Sequence, residues 1–274
     1  MPGIAMPIRS CRLAELRWPE VSALDRDDTI IIQPVGAIEQ HGHHLPLDTD
    51  TAGAEQLALR TADAVNAAGK GVAFFGDAEW ALGPAPHHLA YPGTISLSMK
   101  TMSDLLVDII GSLTRHRFYR FLFLNGHGGN AGVLAATALR ISEELGISPA
   151  VVTYWNLIRD TLGTVMTSER GGLGHACEME TSMQLHLRCE GVDMAEAGKS
   201  LPRDLTTFTT LDFRTPGPVM LPWDFSRDSK TGTMGDPSVA TAEKGRAVVD
   251  AAVGRLTALA GELLALGEAD FRKA

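Results

Sequence analysis

The sequence predicts an α/β fold in which helices cover both faces of a mostly parallel central sheet, a three-layer α/β/α sandwich. Short apolar, β-branched stretches alternate along the chain with stretches rich in Ala, Leu and Glu. Continuous apolar strands are typical of sheets buried on both faces, and strands that alternate with helices pair in parallel through right-handed crossovers. A chain of 274 residues commonly folds around one such sheet, so we expect residues 1–274 to be a single domain.

The predicted elements follow one another in a regular order, each identified by its periodicity and by the Gly, Asp or Asn at its ends. Asp50 stands where the N-cap of the first long helix belongs. The Pro-, Thr- and Asp-rich stretch 190–237 predicts extended loops. Strands are predicted at 29–35 (TIIIQPV), 71–75, 94–97, 118–124 and 151–154, and helices at 51–67, 99–116, 131–145 and 238–266.

Composition and charge exclude several classes of function. The 33 acidic residues outnumber the 24 Lys and Arg, for a net charge of -9, and no basic cluster predicts nucleic-acid binding. No stretch reaches about 18 uninterrupted apolar residues, and the N-terminus lacks a secretion-signal pattern. Three cysteines in a long chain indicate a reducing compartment. We therefore expect a cytoplasmic protein that acts on a small molecule, without nucleic-acid or membrane partners.

The first cluster of reactive residues, EQHGHHLPLDTD at 39–50, directly follows a predicted buried strand. Sites of α/β sheets form at the carboxyl ends of strands, and residues two apart in an extended segment project to the same side. Glu39, His41 and His43 can therefore converge, with Asp50 nearby. Carboxylates and imidazoles without a thiolate suit zinc, manganese or iron. The alternative is a polar loop in which Asp50 only caps the helix.

The second cluster, NGHGGN at 125–130, ends another predicted strand and presents His127 there. Its glycines allow the backbone to approach a bound ion or substrate closely. Asn125 can orient the histidine, and Asn130 can cap the next helix. A plain tight turn is the alternative.

The third cluster is HACEMETS at 175–182. If a helix begins at His175, then Glu178 lies on the same helical face, whereas Glu180 is turned away by roughly 200° from Glu178. We therefore expect Glu178 rather than Glu180 to share the site, although either glutamate could be a solvated surface residue. Cys177 invites a thiol mechanism, but beside a metal cluster it is more often a packed small hydrophobe.

Five segments together resemble the creatininase (creatinine amidohydrolase) family. They are, in order, GAIEQHGHHLPLDTD, FLNGHGGN, YWN, HACEMETS and GDPSVATAEKGR. Around the first four, the likeness extends over roughly residues 30–187, and each segment is moderately specific alone. The resemblance implies a creatininase-like α/β/α fold, two divalent metal ions per subunit and a homohexamer.

The resemblance also implies a ligand set. Glu39 and His127 would hold one ion, His41 would hold the other, and Asp50 would bridge the pair. True creatininases continue the second cluster as HYEN, whose glutamate binds the second ion, but this chain has Gly129 at that position.

The third cluster departs from the creatininases in a way that can compensate for this loss. Creatininases have an apolar residue where this chain has Glu178, so we expect Glu178 to replace the missing carboxylate as fifth ligand and to take part in catalysis. Whether Glu178 or Glu180 does so is open from sequence alone.

Other positions carry expected substrate and proton-transfer roles. By the resemblance, His175 matches a proton-transfer histidine and Trp155 a tryptophan near the substrate, whereas Gly171 replaces a second tryptophan of the creatininase substrate lid. Creatinine is therefore not the expected substrate. His87 and His88 precede the turn at Tyr91 and are expected to contact substrate, in this subunit or a neighbour, with a surface role as the alternative.

The sequence thus predicts a metal-dependent hydrolase that uses activated water to cleave a C–N bond of a small amide, cyclic amide or formamide. His175 would deliver a proton to the leaving nitrogen. One alternative is hydrolytic ring opening of a cyclic ketone of the inosose type, and another is a metal-dependent binding protein without turnover. The mycofactocin peptidases of the family carry a histidine where Glu178 stands, which disfavours that activity.

Overall fold

The computed structural model describes residues 9–69, 71–77 and 82–273. Its central sheet has four strands in the order β2-β1-β3-β4, and every neighbouring pair is parallel. The predicted α/β class with a parallel sheet is confirmed. The strands are β1 (Thr29–Val35), β2 (Val72–Phe75), β3 (Phe121–Asn125) and β4 (Ala150–Thr153).

The part of the chain that the structure describes also contains eight α-helices, several short 3-10 helices and a small antiparallel pair of strands. The pair is β5 (Leu173–His175) with β6 (Met234–Gly235). The helices are α1 (Trp18–Ser22), α2 (Thr49–Ala68), α3 (Met99–Thr114), α4 (Ala131–Leu145), α5 (Arg159–Val165), α6 (Glu178–Arg188), α7 (Phe225–Asp228) and α8 (Ala242–Ala265).

The central strand β1 separates two apolar cores. Ile30 and Ile32 pack with α2 and α8 on one face of the sheet, while Ile31 and Val35 pack with α3 and α4 on the other. Successive strand residues point to opposite faces, so the mostly apolar and fully buried run TIIIQPV fits a strand covered on both sides. The predicted three layers follow from this alternation.

Several predicted boundaries change in the structure. The strand predicted at 94–97 is a single bridge between Ile95 and Ile38. Helix α2 begins at Thr49, which places Asp50 in its first turn rather than at its N-cap. Helix α8 begins only at Ala242, because the Thr241 hydroxyl caps it by accepting a hydrogen bond from the Lys244 amide.

Two sequence-based expectations concern export and membranes. Residues 1–8, the first half of the N-terminal stretch predicted to lack a secretion signal, lie outside the described ranges. Within those ranges, no helix combines the length and the apolar character needed to cross a bilayer.

Candidate metal centre

Neighbouring strands β1 and β3 deliver the first residues of the site at the carboxyl edge of the sheet. The segment after β1 carries Glu39 and His41, and the segment after β3 carries His127. Asn125, the last residue of β3, accepts a hydrogen bond from the His127 amide at 3.0 Å and donates one to Thr153 Oγ1 at 3.0 Å. This pair of bonds fixes the backbone of His127, in line with the orienting role expected for Asn125.

Asp50 joins these residues from the first turn of α2. Its Oδ1 lies 3.1 Å from His41 Nε2, and its Oδ2 lies 2.9 Å from His127 Nδ1. Glu39 Oε1 is 3.2 Å from the same His127 nitrogen. All four side chains are buried. The structure therefore brings together the four residues on which the sequence-based metal site rests.

The glutamate that joins the cluster from α6 is Glu180. Ligand atoms of Glu180, His41 and His175 all lie within 4.8 Å of one another, and all three residues are buried. His175 ends strand β5, and Ala176 follows it with a left-handed φ of 48°. Helix α6 begins only at Glu178, so the helical spacing assumed between His175 and Glu178 does not exist.

The structure corrects the placement of Glu178. Its fully buried carboxylate accepts hydrogen bonds from the amides of Thr167 at 3.0 Å and Ser168 at 2.9 Å, and it pairs with Lys244 of α8. Although burial alone raises the pKa of Glu178, Lys244 and these amides hold that pKa below its ordinary value. A carboxylate engaged in this way ties α6 to α8 and is not a candidate ligand.

Three further histidines surround the cluster. His88 is fully buried, and its Nε2 lies 3.5 Å from Glu39 Oε1. His175 Nδ1 lies 3.6 Å from the same oxygen. His87 is only partly buried, and its ring stacks on that of His127 at a centroid distance of 5.7 Å. His87 and His88, the two histidines expected to contact substrate, therefore both lie at the site.

Two contributions were missed from the sequence. Gln40 is buried between Glu39 and His41, and its side-chain amide contacts His88 Nδ1 at 2.8 Å. Phe225 of α7 lies across the histidines, with ring centroids 4.1 Å from His88 and 4.9 Å from His175. The alternation of an extended segment places Gln40 opposite its neighbours, and nothing in the loop sequence distinguishes Phe225, so no sequence signal marks either residue.

Some expected site residues lie elsewhere. His43 is exposed, with Nδ1 3.8 Å from Glu196, and does not converge with Glu39 and His41. Asn130 does not cap α4 with its side chain but donates to the Gly36 carbonyl at 3.1 Å.

Trp155 and Cys177 are both buried in the apolar core beside the sheet. The Trp155 ring stacks on Phe213 at 4.7 Å. Burial and the nearby Glu180 raise the pKa of the Cys177 thiol well above its ordinary value. A thiol held in its protonated form is a poor nucleophile, in agreement with the packing role expected for Cys177.

The cluster concentrates negative charge in a buried volume. Burial, opposed by His127 and reinforced by Asp50, raises the pKa of Glu39. Burial likewise raises the pKa of Glu180 to about 7, with further contributions from Asp50 and Glu39. Burial alone lowers the pKa of His41, but Asp50 and Glu180 outweigh it and raise that pKa to about 10. The carboxylates thus draw positive charge to the site.

The donor set fits a divalent metal ion. Both oxygens of Glu39, Asp50 Oδ2 and His127 Nε2 are buried and make no well-formed hydrogen bond, even where His127 Nδ1 lies close to a carboxylate oxygen. Buried polar atoms without partners are rare in folded proteins, because each carries the full cost of its lost hydration. Within the described ranges, no Lys or Arg forms a salt bridge with Glu39, Asp50 or Glu180. A cation bound among the carboxylate oxygens, beside His127 Nδ1, would satisfy those oxygens.

Comparison with known proteins gives a family match over most of the chain. The family model described as creatinine amidohydrolase matches residues 14–260. A creatinine amidohydrolase from Pseudomonas putida is 29% identical over 257 residues, covering 89% of this chain and 94% of that protein. A mycofactocin precursor peptide peptidase from Mycobacterium tuberculosis is 32% identical over 255 residues, covering 88% of each. A 3-dehydro-scyllo-inosose hydrolase from Thermotoga maritima is 30% identical over 167 residues, 58% of this chain and 50% of that protein.

Solved structures show the same likeness in three dimensions. A mutant creatininase described as Zn-Zn type superposes with a TM-score of 0.77 at 25% identity, covering 93% of this chain and 98% of that one. A structure described as creatininase Mn superposes with a TM-score of 0.76 at 26% identity and with the same coverage.

Proposed function

Because the chain belongs to the creatininase family, we propose that it is a metal-dependent hydrolase that cleaves a C–N bond of a small amide, cyclic amide or formamide. The observation that carries the proposal is that both oxygens of Glu39 and Oδ2 of Asp50 are buried beside His127 without a well-formed hydrogen bond. The names of two relatives, an amidohydrolase and a peptide peptidase, support a C–N bond as the target.

The proposed cofactor is a pair of divalent ions, zinc, manganese or iron. Glu39 and His127 would hold one ion, His41 and Glu180 the other, and Asp50, which contacts both histidines, would bridge them. The Zn-Zn and Mn creatininase structures support this choice of metals. Bound there, such ions would polarise a substrate carbonyl and lower the pKa of a bound water toward about 7.

The protein side chains orient the reactants and move protons. His175 turns Nδ1 toward Glu39 and holds Nε2 2.7 Å from the Gln40 carbonyl, so its ring is fixed with one nitrogen facing the cluster. We assign to His175 the transfer of a proton from the attacking water to the leaving nitrogen. Glu178, bound to Thr167 and Lys244, has no part in this chemistry.

A substrate contact is proposed for His88, which is buried against Glu39. Trp155 follows strand β4 at the same edge of the sheet, but its ring packs on Phe213 in the apolar core, so its substrate contact stays a prediction from the family resemblance. Gly171 has a left-handed φ of 84° and stands where creatininases place a lid tryptophan. A side chain other than glycine is strained at that angle, which argues against creatinine as the substrate.

A substrate screen tests the proposal directly. The purified protein, loaded with zinc or manganese, is assayed against N-formyl amines, lactams, creatinine and inososes, and its metal content is measured in parallel. Release of amine from an amide with metal bound supports the proposed reaction.

Two other outcomes of the screen decide against amide hydrolysis. Turnover of an inosose alone would establish the ring-opening alternative, which the similarity to the Thermotoga maritima hydrolase favours. Tightly bound metal without turnover of any compound would indicate a binding protein. The homohexamer and the cytoplasmic location stay predictions, and light scattering on the purified protein measures the first of them.

A further inference from the structure

The side-chain amide of Gln40 lies between two histidines of the site. Its Nε2 is 2.8 Å from His88 Nδ1, 3.0 Å from His175 Nε2 and 3.1 Å from the Gly232 carbonyl oxygen. Its Oε1 accepts a hydrogen bond from the Gly42 amide at 2.9 Å, which fixes the orientation of the amide group. An NH₂ group has two hydrogens, so it can serve only two of these three neighbours.

The position of His175 decides which two of these neighbours accept a hydrogen bond from the Gln40 side chain. His175 Nε2 lies 2.7 Å from the Gln40 backbone carbonyl, an atom that can only accept. His175 Nε2 therefore carries a hydrogen and donates it to that carbonyl. A nitrogen that is itself a donor cannot accept from the Gln40 side chain, so the two amide hydrogens go to His88 Nδ1 and the Gly232 carbonyl.

The tautomer of His88 follows from the same count. Because His88 Nδ1 accepts from Gln40, it carries no hydrogen, and the ring hydrogen of His88 is on Nε2. Nε2 is buried without a hydrogen-bond partner and lies 3.5 Å from Glu39 Oε1. The Nε2–H group of His88 thus points into the proposed metal site and is free to donate a hydrogen bond to a bound substrate.

Packing keeps these assignments from interchanging. The His88 and His175 rings stack at 4.4 Å, and Phe225 contacts both rings. Gly232 leaves room for Gln40, since a Cβ at that position would lie 1.8 Å from Gln40 Oε1. Neither imidazole can turn over without displacing the other or Phe225.

We propose that Gln40 is a positioning residue that holds His88 as an Nε2–H donor to the substrate oxygen, while His175 keeps Nδ1 free to accept a proton. As water attacks the carbonyl carbon, the π electrons of the C=O bond move onto the carbonyl oxygen. The His88 N–H stabilises the negative charge that develops there. Two stacked histidines thereby have opposite roles set by one amide. This inference rests on the proposed hydrolysis for its chemistry, but the tautomers can be measured without it.

Neutron diffraction from the perdeuterated, zinc-loaded protein tests the tautomers. We expect deuterium on His88 Nε2 and on His175 Nε2, and none on His88 Nδ1. In Gln40→Glu, the donor facing His88 is replaced by an oxygen, so deuterium should appear on His88 Nδ1. Deuterium on Nδ1 in the unaltered protein, a metal ion bound at His88 Nε2, or an Nδ1 that stays bare in Gln40→Glu would overturn the proposal.

Gln56 supplies the matched control. It lies on α2 beside a cavity lined by Asp48 and Arg188, away from the histidines. Gln56→Glu introduces the same charge and should leave the deuterium pattern of His88 and His175 unchanged. Metal analysis and the melting temperature of both variants show whether the site has remained folded.

Kinetics test the donor role on any substrate found in the screen. In His88→Gln an amide N–H can take the position of Nε2–H, so kcat should stay within about 10-fold, whereas in His88→Ala it should fall about 10²- to 10³-fold. Equal losses in both variants would exclude the donor role. If no compound is turned over, the proposed hydrolysis fails, and the deuterium pattern still decides the role of Gln40.

Discussion

His41 Nε2 lies 3.1 Å from Asp50 Oδ1, although the two residues come from different elements. The second oxygen of Asp50 lies 2.9 Å from His127. One carboxylate in the first turn of α2 therefore contacts both histidines that the proposed ions require. This shared position makes Asp50 the residue on which the whole site depends.

Replacing Asp50 with Asn should remove metal from the protein. The amide keeps the shape but loses the charge and one acceptor oxygen, so chelator competition should show affinity reduced by more than about 100-fold. Asp48→Asn is the control, because Asp48 pairs with Arg188 through contacts of 2.6 and 2.7 Å and has no partner in the site. Full metal content in Asp50→Asn would contradict the bridging role.

The two glutamates of α6 should behave differently. Glu180→Gln should lose about one equivalent of metal per chain by elemental analysis, because Glu180 lies with His41 and His175. Glu178→Gln should keep the full metal content, because its carboxylate binds Thr167, Ser168 and Lys244 instead. The reverse pattern would restore Glu178 as the fifth ligand.

The contrast between these glutamates shows where sequence reasoning stops. The hydrophobic pattern predicted β1 and α4 with the bounds that the structure shows. A buried strand and an amphipathic helix each have a recognisable pattern of apolar residues. Which side chains of α6 face the site depends instead on where the helix begins. That start follows a single left-handed residue, Ala176, whose conformation is set by its surroundings. A helix that begins three residues later changes which glutamate faces the site.

The outer part of the site depends on contacts distant in sequence. Gln40 contacts His175 across 135 residues, and Phe225 reaches the histidines from the first residue of the short helix α7, which follows a long irregular segment. Motifs that follow strands identify residues at the sheet edge, because the parallel fold itself collects them. No comparable rule predicts which residues of the longer connecting segments come together, so their convergence is seen only in the three-dimensional structure.

Glu178 should contribute to stability in a pH-dependent way. Its folded-state pKa lies below the ordinary value of 4.5, so the folded chain binds this proton less tightly than the unfolded chain. The stabilisation is present above the unfolded pKa and is lost as the pH falls through the lower folded pKa. Glu178→Gln should lower the free energy of unfolding by about 3 kcal/mol at neutral pH, because it leaves the largely buried Lys244 ammonium without its charged partner.

Urea unfolding of the unaltered protein and of Glu178→Gln across the acid range measures this effect. The difference between the two should shrink as the pH falls below about 4, when the wild-type carboxyl also becomes neutral. A difference that stays constant with pH would mean that the lost stability comes from packing and not from the charge of Glu178.

The cysteines should differ in reactivity. Cys189 is exposed, whereas Cys177 is buried and the pKa of its thiol is raised, so a thiol reagent should label Cys189 in the native protein and Cys177 only after unfolding. Mass spectrometry of the labelled protein locates the modification. Cys177→Ala should keep turnover within about twofold of wild type, and a complete loss of turnover with metal retained would support a thiol mechanism.

Gly129 offers the sharpest test of how this site differs from that of creatininases. A Cβ at Gly129 would lie 2.4 Å from His127 Nε2 and 3.1 Å from the Pro84 carbonyl oxygen, so even alanine must displace the histidine ring. The contact of His127 Nδ1 with Asp50, at 2.9 Å, would then be disturbed. Gly129→Ala should therefore weaken metal binding about 10-fold or more, in the range expected when the support of a ligand is altered.

Gly128 provides a neighbouring control for this substitution. A Cβ there would meet no atom within 4 Å, so Gly128→Ala should bind metal as tightly as the unaltered protein. By the same reasoning, Gly129→Glu should not restore the creatininase ligand, because its Cβ already collides with His127. Metal titration of the three variants decides the matter: unchanged affinity in Gly129→Ala, or a gain in Gly129→Glu, would show that His127 has room to move and that the missing glutamate can be accommodated.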